Sequence, residues 1–145
     1  MRVLVQRCLR ASVTVDNNIV GQINSGLMLL VGFTHTDTIE NIKYMVDKVI
    51  NLRIFDDENG VMNRSLLDVS GSILSVSQFT LYADATKGRR PSYINALSGD
   101  EAIKLYDKFN ELLKEKVSCV QTGVFGAEMK VELINDGPIT IMLEK

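Results

Sequence analysis

The chain has 145 residues, of which 46% are hydrophobic and 23% charged, and this ordinary globular composition predicts a single domain over residues 1–145. A net charge of −2 provides no overall positive field, so contact with nucleic acid would need a local cationic patch. Neither a signal peptide nor an apolar run of membrane-spanning length is visible. Cys8 and Cys119 lie in apolar runs, as buried thiols of a reducing compartment would. We therefore expect a cytoplasmic protein without membrane contact.

Three strands are predicted at the start of the chain. Residues 2–15 are rich in β-branched side chains and show the period of a half-buried strand. Residues 19–23 follow a turn signal and predict a partner strand. Residues 27–31 are apolar on both faces, which is typical of a central strand covered on two sides. Because short turns join these segments, we expect an antiparallel meander.

Two amphipathic helices are predicted further along the chain. Asp37 and Glu40 match a capping box, and apolar residues recur at helical spacing from there to Ile50. Ser98 and Glu101 match a second capping box ahead of another amphipathic segment. The chain therefore alternates strand-rich regions with two helices.

The remaining apolar segments are short and predict further strands at residues 52–55, 71–79, 117–121, 129–133 and 139–143. Between the last two, Asn135–Pro138 has the composition of a tight turn. The sum is an α+β fold: mostly antiparallel β-sheets forming a sandwich or barrel-like core, flanked by two α-helices.

The strand of residues 71–79 becomes polar at its end, where Ser77, Gln78 and Thr80 flank Phe79. This pattern places polar side chains and backbone N–H groups at the end of a rigid element, which is how many sites are built. A strand end with ordinary turn residues is an equally good interpretation of the pattern alone.

The residue types present limit the chemistry. His35 is the single histidine and lies in a loop, where a solvated side chain is a better interpretation than a catalytic base. No spacing fits a zinc site, a P-loop or a dinucleotide-binding loop. An enzyme with this sequence would therefore work without cofactor or metal, through positioning and backbone N–H donors. Those effects suffice only for a substrate that is already reactive, such as an activated ester.

Two further segments have both a functional and an ordinary interpretation. Lys87, Arg89 and Arg90 follow the polar strand end and are either phosphate contacts or a solvated charged loop. Gly137 and Pro138 form either a plain β-turn or an X-Pro bond of the cis form, which the sequence alone does not distinguish.

Two motifs carry a resemblance to a known family: Ser77–Leu81, with the sequence SQFTL, and Asn135–Thr140, with the sequence NDGPIT. Supporting segments occur in order along the chain, and they are Val5–Arg7, Asn51–Phe55, Lys87–Ser92 and Thr122–Ala127. From end to end the chain resembles the bacterial D-aminoacyl-tRNA deacylases of the D-tyrosyl-tRNA deacylase family. Ile139 stands where members often carry valine, a change that conserves volume.

The resemblance implies a function in chiral proofreading. The expected reaction is hydrolysis of the ester at the 3′ end of D-aminoacyl-tRNA, assisted by the ribose 2′-hydroxyl. It also implies a homodimer in which a cis Gly137-Pro138 bond of one subunit enters the pocket of the other and excludes L-amino acids. Glycine has no side chain to exclude, so glycyl-tRNA is expected as a second substrate or as a liability.

The resemblance also suggests roles for single residues. Ser77, Gln78, Phe79 and Thr80 would form the catalytic segment, with the N–H groups of Phe79 and Thr80 as the oxyanion site and Gln78 near the adenosine. Thr80 as a covalent nucleophile is the less favoured alternative, because no adjacent base can be named. The remaining expected roles are pocket wall or simple core for Phe125, Ala127 and Met129, support of the Gly-Pro motif across the dimer for Arg7, and tRNA phosphate contacts for Lys87, Arg89 and Arg90.

One alternative of a different class stays open at this point. A non-catalytic RNA- or nucleotide-binding module could use the cationic loop at Lys87–Arg90 without any ester hydrolysis. A purely structural dimer would leave the polar residues around Phe79 without a role.

Overall fold

The computed structural model describes residues 1–145, in which a strongly curved sheet packs against two helices. The strands are β1 (Arg2–Val15), β2 (Asn18–Ile23), β3 (Gly26–Gly32), β4 (Phe55–Asp56), β5 (Met62–Arg64), β6 (Ser72–Ser77), β7 (Val120–Thr122) and β8 (Lys130–Glu144). The helices are α1 (Ile39–Asn51), α2 (Gly99–Lys114) and a short 3₁₀ turn at Phe79–Tyr82. The predicted α+β class with two helices and a barrel-like sheet is confirmed.

The long strand β1 organises the sheet. β8 pairs antiparallel with one edge of β1 along almost its whole length, from Arg2 opposite Glu144 to Thr14 opposite Lys130. β3 and β2 share the other edge, pairing with residues 2–8 and 11–15 of β1. The predicted meander is wrong in this respect, because a strand of 14 residues is long enough to pair with both shorter strands end to end.

β6 introduces the parallel part of the sheet. It pairs parallel with β3 on one side and with β7 on the other. Parallel neighbours need a crossover connection, and α1 and α2 lie in the two connections. β2 also approaches β7, since a side chain on Gly21 would lie 2.8 Å from the carbonyl oxygen of Thr122. The curved sheet is therefore nearly closed.

Two apolar clusters fill the two sides of the sheet. The larger cluster joins the buried faces of α1 and α2 to β1, β3 and β6, with Phe109 and Met45 fully buried in it. The smaller cluster lies within the curve of the sheet and includes Cys8, Val13 and Leu74. Burial raises the pKa of the Cys8 thiol from 9.0 to about 11, which agrees with the buried thiol expected from the sequence.

The helix starts differ in part from the sequence prediction. α1 is capped by Thr38 and Asn41, whose side chains each accept a hydrogen bond from the other residue's backbone N–H. Asp37 is not the cap, because its carboxylate pairs with the buried ammonium group of Met1 and accepts the N–H of Thr34. Ser98 does precede α2, but its side chain makes no capping hydrogen bond.

β8 contains the segment predicted as a tight turn. The strand continues from Lys130 to Glu144, and the pairing with β1 steps from Asn135 to Thr140 across a bulge. Residues 136–139 therefore lie opposite Arg7 without ladder partners of their own. The prediction of two strands joined by a turn is wrong because a bulge uses the same residue types as a turn. Neither helix has both the length and the apolar run needed to cross a membrane.

Candidate active site

A cavity of about 340 Å³ opens where β3 and β6 end. Its lining comes from four parts of the chain, namely residues 31–33, 76–79, 97–99 with Ala102, and 125–127 with Met129 and Val131. The size is within the range of small-molecule sites. Ser77, Gln78 and Phe79, which the sequence singled out, are therefore pocket residues.

The parallel pairing of β3 with β6 brings these strand ends together. Val31 lies opposite Ser77, and the N–H of Gln78 donates to the carbonyl oxygen of Val31 at 2.7 Å. Gly32 permits this approach, since a side chain there would lie 2.8 Å from the carbonyl oxygen of Gln78. The backbone of the pocket is consequently fixed by the sheet itself.

Backbone donors are available where the chain leaves β6. Leu81 donates its N–H to the carbonyl oxygen of Gln78 at the start of the 3₁₀ turn, and Ala83 donates its N–H to that of Thr80 at its end. The N–H groups of Phe79 and Thr80 precede these bonds, and the first N–H groups of a helical turn have no acceptor inside it. The side-chain amide of Gln78 donates to the Thr80 hydroxyl, which lies outside the pocket lining. Phe79, which lines the pocket, and Thr80, which lies beside it, therefore each have a backbone N–H without an acceptor inside the turn.

No side chain in the lining carries an ionisable group. His35 is exposed outside the pocket, and its Nε2 donates to the carbonyl oxygen of Ile94 at 3.0 Å. No group of three His, Cys, Asp or Glu side chains comes together anywhere in the structure. The lining of this pocket therefore supplies no histidine, carboxylate or lysine side chain that could act as a general base.

Phe125, Ala127 and Met129, for which the resemblance implied a pocket wall or a core position, all line the pocket. Phe125 also packs against the larger core cluster, with its ring centroid 5.8 Å from that of Tyr106. The Tyr106 hydroxyl donates to the carbonyl oxygen of Ser75 at 2.8 Å, and burial raises the pKa of Tyr106. Phe125 therefore both lines the pocket and packs against the core.

Gly137 and Pro138 lie outside the pocket of their own chain. Their peptide bond is cis, and both residues are exposed. Gly137 is six residues beyond Val131 on β8, a separation of roughly 20 Å in an extended strand. The preceding residue, Asp136, has its carboxylate 3.0 Å from the guanidinium of Arg7. Arg7 thus contacts this motif within one chain, and its predicted contact across a dimer stays a prediction.

The three cations also lie outside the pocket, on an exposed loop. Asp84 and Ser92 close this loop, each donating its N–H to the carbonyl oxygen of the other at 2.8 Å. Lys87, Arg89 and Arg90 are therefore at the end of a closed hairpin-like loop that begins two residues after the 3₁₀ turn.

Some of the lining could not be predicted from the sequence. Residues 31–33 come from the end of β3, and Leu97 and Ser98 from the segment before α2. The ends of two parallel strands meet at the same edge of a sheet, so the parallel pairing of β3 with β6 would have predicted that residues 31–33 lie near Ser77. The sequence contains no local pattern that indicates this pairing.

The fold and the pocket define a small α+β protein whose pocket has mainly apolar walls and no ionisable side chain. The family profile described as D-Tyr-tRNA(Tyr) deacylase matches residues 4–144. A D-aminoacyl-tRNA deacylase of Bacillus velezensis is 57% identical over 144 residues, covering 99% of this chain and 98% of the relative. One from Clostridium perfringens is 58% identical over 144 residues, covering 99% and 97%.

Two solved structures have the same fold. The c-Myc DNA unwinding element binding protein has a TM-score of 0.95 at 40% identity, covering 100% of this chain and 99% of the other. A probable eukaryotic D-amino acid tRNA deacylase has a TM-score of 0.84 at 21% identity, covering 98% and 97%, which shows the shared fold. The chain therefore belongs to the D-Tyr-tRNA(Tyr) deacylase family. The resemblance seen in the sequence and the predicted class, a hydrolase of ester bonds, are both confirmed.

Proposed function

We propose that the protein hydrolyses the ester between a D-amino acid and the terminal adenosine of tRNA, which frees both and keeps D-amino acids out of translation in the cytoplasm. The observation that carries this proposal is a pocket without an ionisable side chain, next to a 3₁₀ turn whose first N–H groups, those of Phe79 and Thr80, have no acceptor inside the turn. Such a pocket suits an ester that is already activated, because positioning and oxyanion stabilisation are then sufficient.

The proposed mechanism uses the substrate's own hydroxyl group. The ribose 2′-hydroxyl assists the attack of water on the ester carbonyl, and the N–H groups of Phe79 and Thr80 stabilise the oxyanion. Removing one such donor typically costs about 10²- to 10³-fold in rate. Ser77 and Gln78 complete the segment. Gln78 lines the pocket, and its side-chain amide donates to the Thr80 hydroxyl. In this proposal Gln78 also contacts the adenosine.

Chirality would be read by a second copy of the chain. Gly137 and Pro138 are exposed and lie outside the pocket of their own chain, which supports a role at the pocket of a partner subunit. The outer edge of β8 has no strand partner, and Leu9, Ile134 and Met142 are exposed apolar side chains on β1 and β8. A two-fold dimer would cover this surface and bring each Gly-Pro motif to the other subunit.

Glycyl-tRNA would be a second substrate of the same site. An L-side chain clashes with Gly137 and Pro138 in this arrangement, whereas glycine has no side chain that could clash. Rejection therefore depends on the presence of an L-side chain rather than on recognition of a D-side chain.

The test is ester loss from three substrates, D-Tyr-tRNA, L-Tyr-tRNA and Gly-tRNA, each with and without the protein. We expect hydrolysis of the D-Tyr and glycyl esters and only the uncatalysed rate for the L-Tyr ester. Uncatalysed rates for all three would exclude the deacylase. Light scattering of the purified protein tests the dimer, and a monomer that still discriminates D from L would exclude a gate supplied by the partner.

A second candidate is a nucleic-acid-binding module without catalysis. The structural relative named for binding a DNA unwinding element and the exposed cations Lys87, Arg89 and Arg90 favour it. The same incubations separate the candidates, because a binding module would retain tRNA without accelerating ester loss.

A further inference from the structure

An exposed aromatic pair lies at the mouth of the pocket. Phe79, which lines the pocket, is 50% exposed, and Tyr93, which lies outside the lining, is 43% exposed. Their ring centroids are 5.2 Å apart at an interplanar angle of 68°. In such an edge-to-face pair the edge of one ring covers one face of the other, and about half of each side chain stays exposed to a ligand.

The backbone around Tyr93 is held in place from both sides. Ser92, directly before it, is bonded to Asp84 by two hydrogen bonds of 2.8 Å. Directly after it, the carbonyl oxygens of Ile94 and Asn95 accept hydrogen bonds from His35 and Thr34 at 3.0 Å and 2.6 Å. The exposed ring is therefore carried on an ordered segment rather than on a loose loop, and a ligand would bind it without a large ordering cost.

The same closed loop carries the three cations. Lys87, Arg89 and Arg90 lie between Asp84 and Ser92, so the loop leads from a cationic end to Tyr93 and on to Phe79 at the pocket. Aromatic rings beside a cationic strip are the usual surface for unpaired nucleic acid, because bases stack on the rings while phosphates meet the cations.

We propose that Tyr93, together with Phe79, forms a stacking platform for the base of the nucleotide that precedes the terminal adenosine of tRNA. This rests on the proposed function, which puts the terminal adenosine in the pocket. The occupant is the unpaired 3′ strand of RNA, since that strand alone supplies a planar base, a phosphate and a reactive terminal ribose in this order. Tyr93 acts as a positioning residue, because it holds the strand and touches no reacting atom.

The first test compares a full substrate with a minimal one. Tyr93→Leu keeps an apolar side chain without a ring, Tyr93→Phe restores the ring, and Ile94→Ala changes the exposed neighbouring side chain as a control. For D-Tyr-tRNA we expect Tyr93→Leu to lower kcat/KM about tenfold, in line with the loss of one base–aromatic stack, and Tyr93→Phe to restore it. For D-tyrosyl-adenosine, which has no preceding nucleotide, all variants should match the wild type within about twofold. Equal losses on both substrates, or no loss on either, would overturn the platform.

A binding measurement tests the platform independently of catalysis. The probes are the RNA 5′-ACCA-3′ with a fluorescent 5′ label and the same RNA with an abasic site before the terminal adenosine. We expect the abasic site to weaken binding to the wild type about tenfold and to have little effect on Tyr93→Leu, because each change removes the same stack. If the abasic site and Tyr93→Leu each weaken binding by the same factor alone and in combination, the platform is wrong, whether or not the protein hydrolyses an ester. If the abasic site weakens binding to the wild type but not to Tyr93→Leu, and no ester is hydrolysed, the platform is retained and the deacylase is rejected.

Discussion

The guanidinium Nε of Arg7 lies 3.0 Å from the Asp136 carboxylate, one residue before the Gly137-Pro138 pair. Arg7 is buried and also donates from Nη1 to the carbonyl oxygen of Ile54 at 2.7 Å. A single side chain therefore connects the bulge of β8 to the segment after α1.

Replacing Arg7 with methionine should destabilise the protein and disturb the bulge. The change leaves the Ile54 carbonyl without its buried donor and the Asp136 carboxylate, which is 40% exposed, without its ion-pair partner. Leaving a buried acceptor unsatisfied costs about 1–3 kcal/mol. Urea denaturation measures the free energy of unfolding. Arg10→Met is the matched control, because Arg10 and Glu132 form an exposed pair at 3.9 Å whose loss should cost under about 1 kcal/mol. Equal costs for both variants would contradict a structural role of Arg7.

Thr80→Ala should retain activity to within about tenfold, and Thr80→Ser should restore most of the difference. The proposed contribution of Thr80 is its backbone N–H, which both variants keep, while the alanine variant loses only the hydroxyl that accepts from Gln78. Single-turnover hydrolysis of D-Tyr-tRNA measures the rate. Total loss in the alanine variant, together with an acyl-enzyme trapped from the wild type by acid quench and mass spectrometry, would instead identify Thr80 as the nucleophile.

Replacing Lys87, Arg89 and Arg90 together with alanine should weaken tRNA binding and flatten its salt dependence. Each phosphate contact to a single strand contributes about −0.7 to the slope of log K against log salt, so three contacts contribute up to about −2. Binding of uncharged tRNA across a salt series measures this slope. Lys43→Ala is the control, since Lys43 pairs with Glu40 on α1. An unchanged slope in the triple variant would show that the loop does not meet phosphates.

Cys8 should make stability depend on pH in the alkaline range. Its thiol pKa is raised from 9.0 to about 11 by burial, so the unfolded chain loses this proton at a lower pH than the folded one. The contribution of the protonated Cys8 thiol to the free energy of unfolding is fully present below pH 9. It falls by about 2–3 kcal/mol as the pH rises from 9 towards 11. Unfolding free energies of the wild type and Cys8→Ala at pH 8 and pH 11 isolate this effect. A difference between the two proteins that does not change with pH would contradict it.

Much of the fold follows from local pattern. The apolar faces of the two helices and the alternation in β1 are visible in the sequence because a helix or a half-buried strand repeats its burial with a fixed period. The partner of β3 is not visible in this way, because an all-apolar strand gives no information about which neighbour it pairs with. The meander predicted from the short turns is wrong for this reason, because β3 pairs with β1 and not with β2.

The site likewise has residues that the local sequence pattern predicted and residues that depend on contacts between distant segments. Ser77 and Gln78 stood out because polar residues interrupt an apolar strand, and the pocket forms around them. Asn135–Pro138 has the composition of a turn, and only the pairing of β8 with β1 shows it to be a bulge inside one strand. Tyr93 had no sequence signal, because its relation to Phe79 depends on a contact between segments that are 14 residues apart.

The donors proposed at Phe79 and Thr80 are peptide N–H groups, which every amino acid except proline supplies. The site therefore constrains the path of the backbone more than the identity of the side chains. An alanine scan of this segment would leave its hydrogen-bond donors untouched and would understate its importance, whereas a backbone amide-to-ester replacement at either residue would remove one donor at a time. Across distant relatives, the backbone conformation of this segment should therefore be conserved more strongly than its amino-acid sequence.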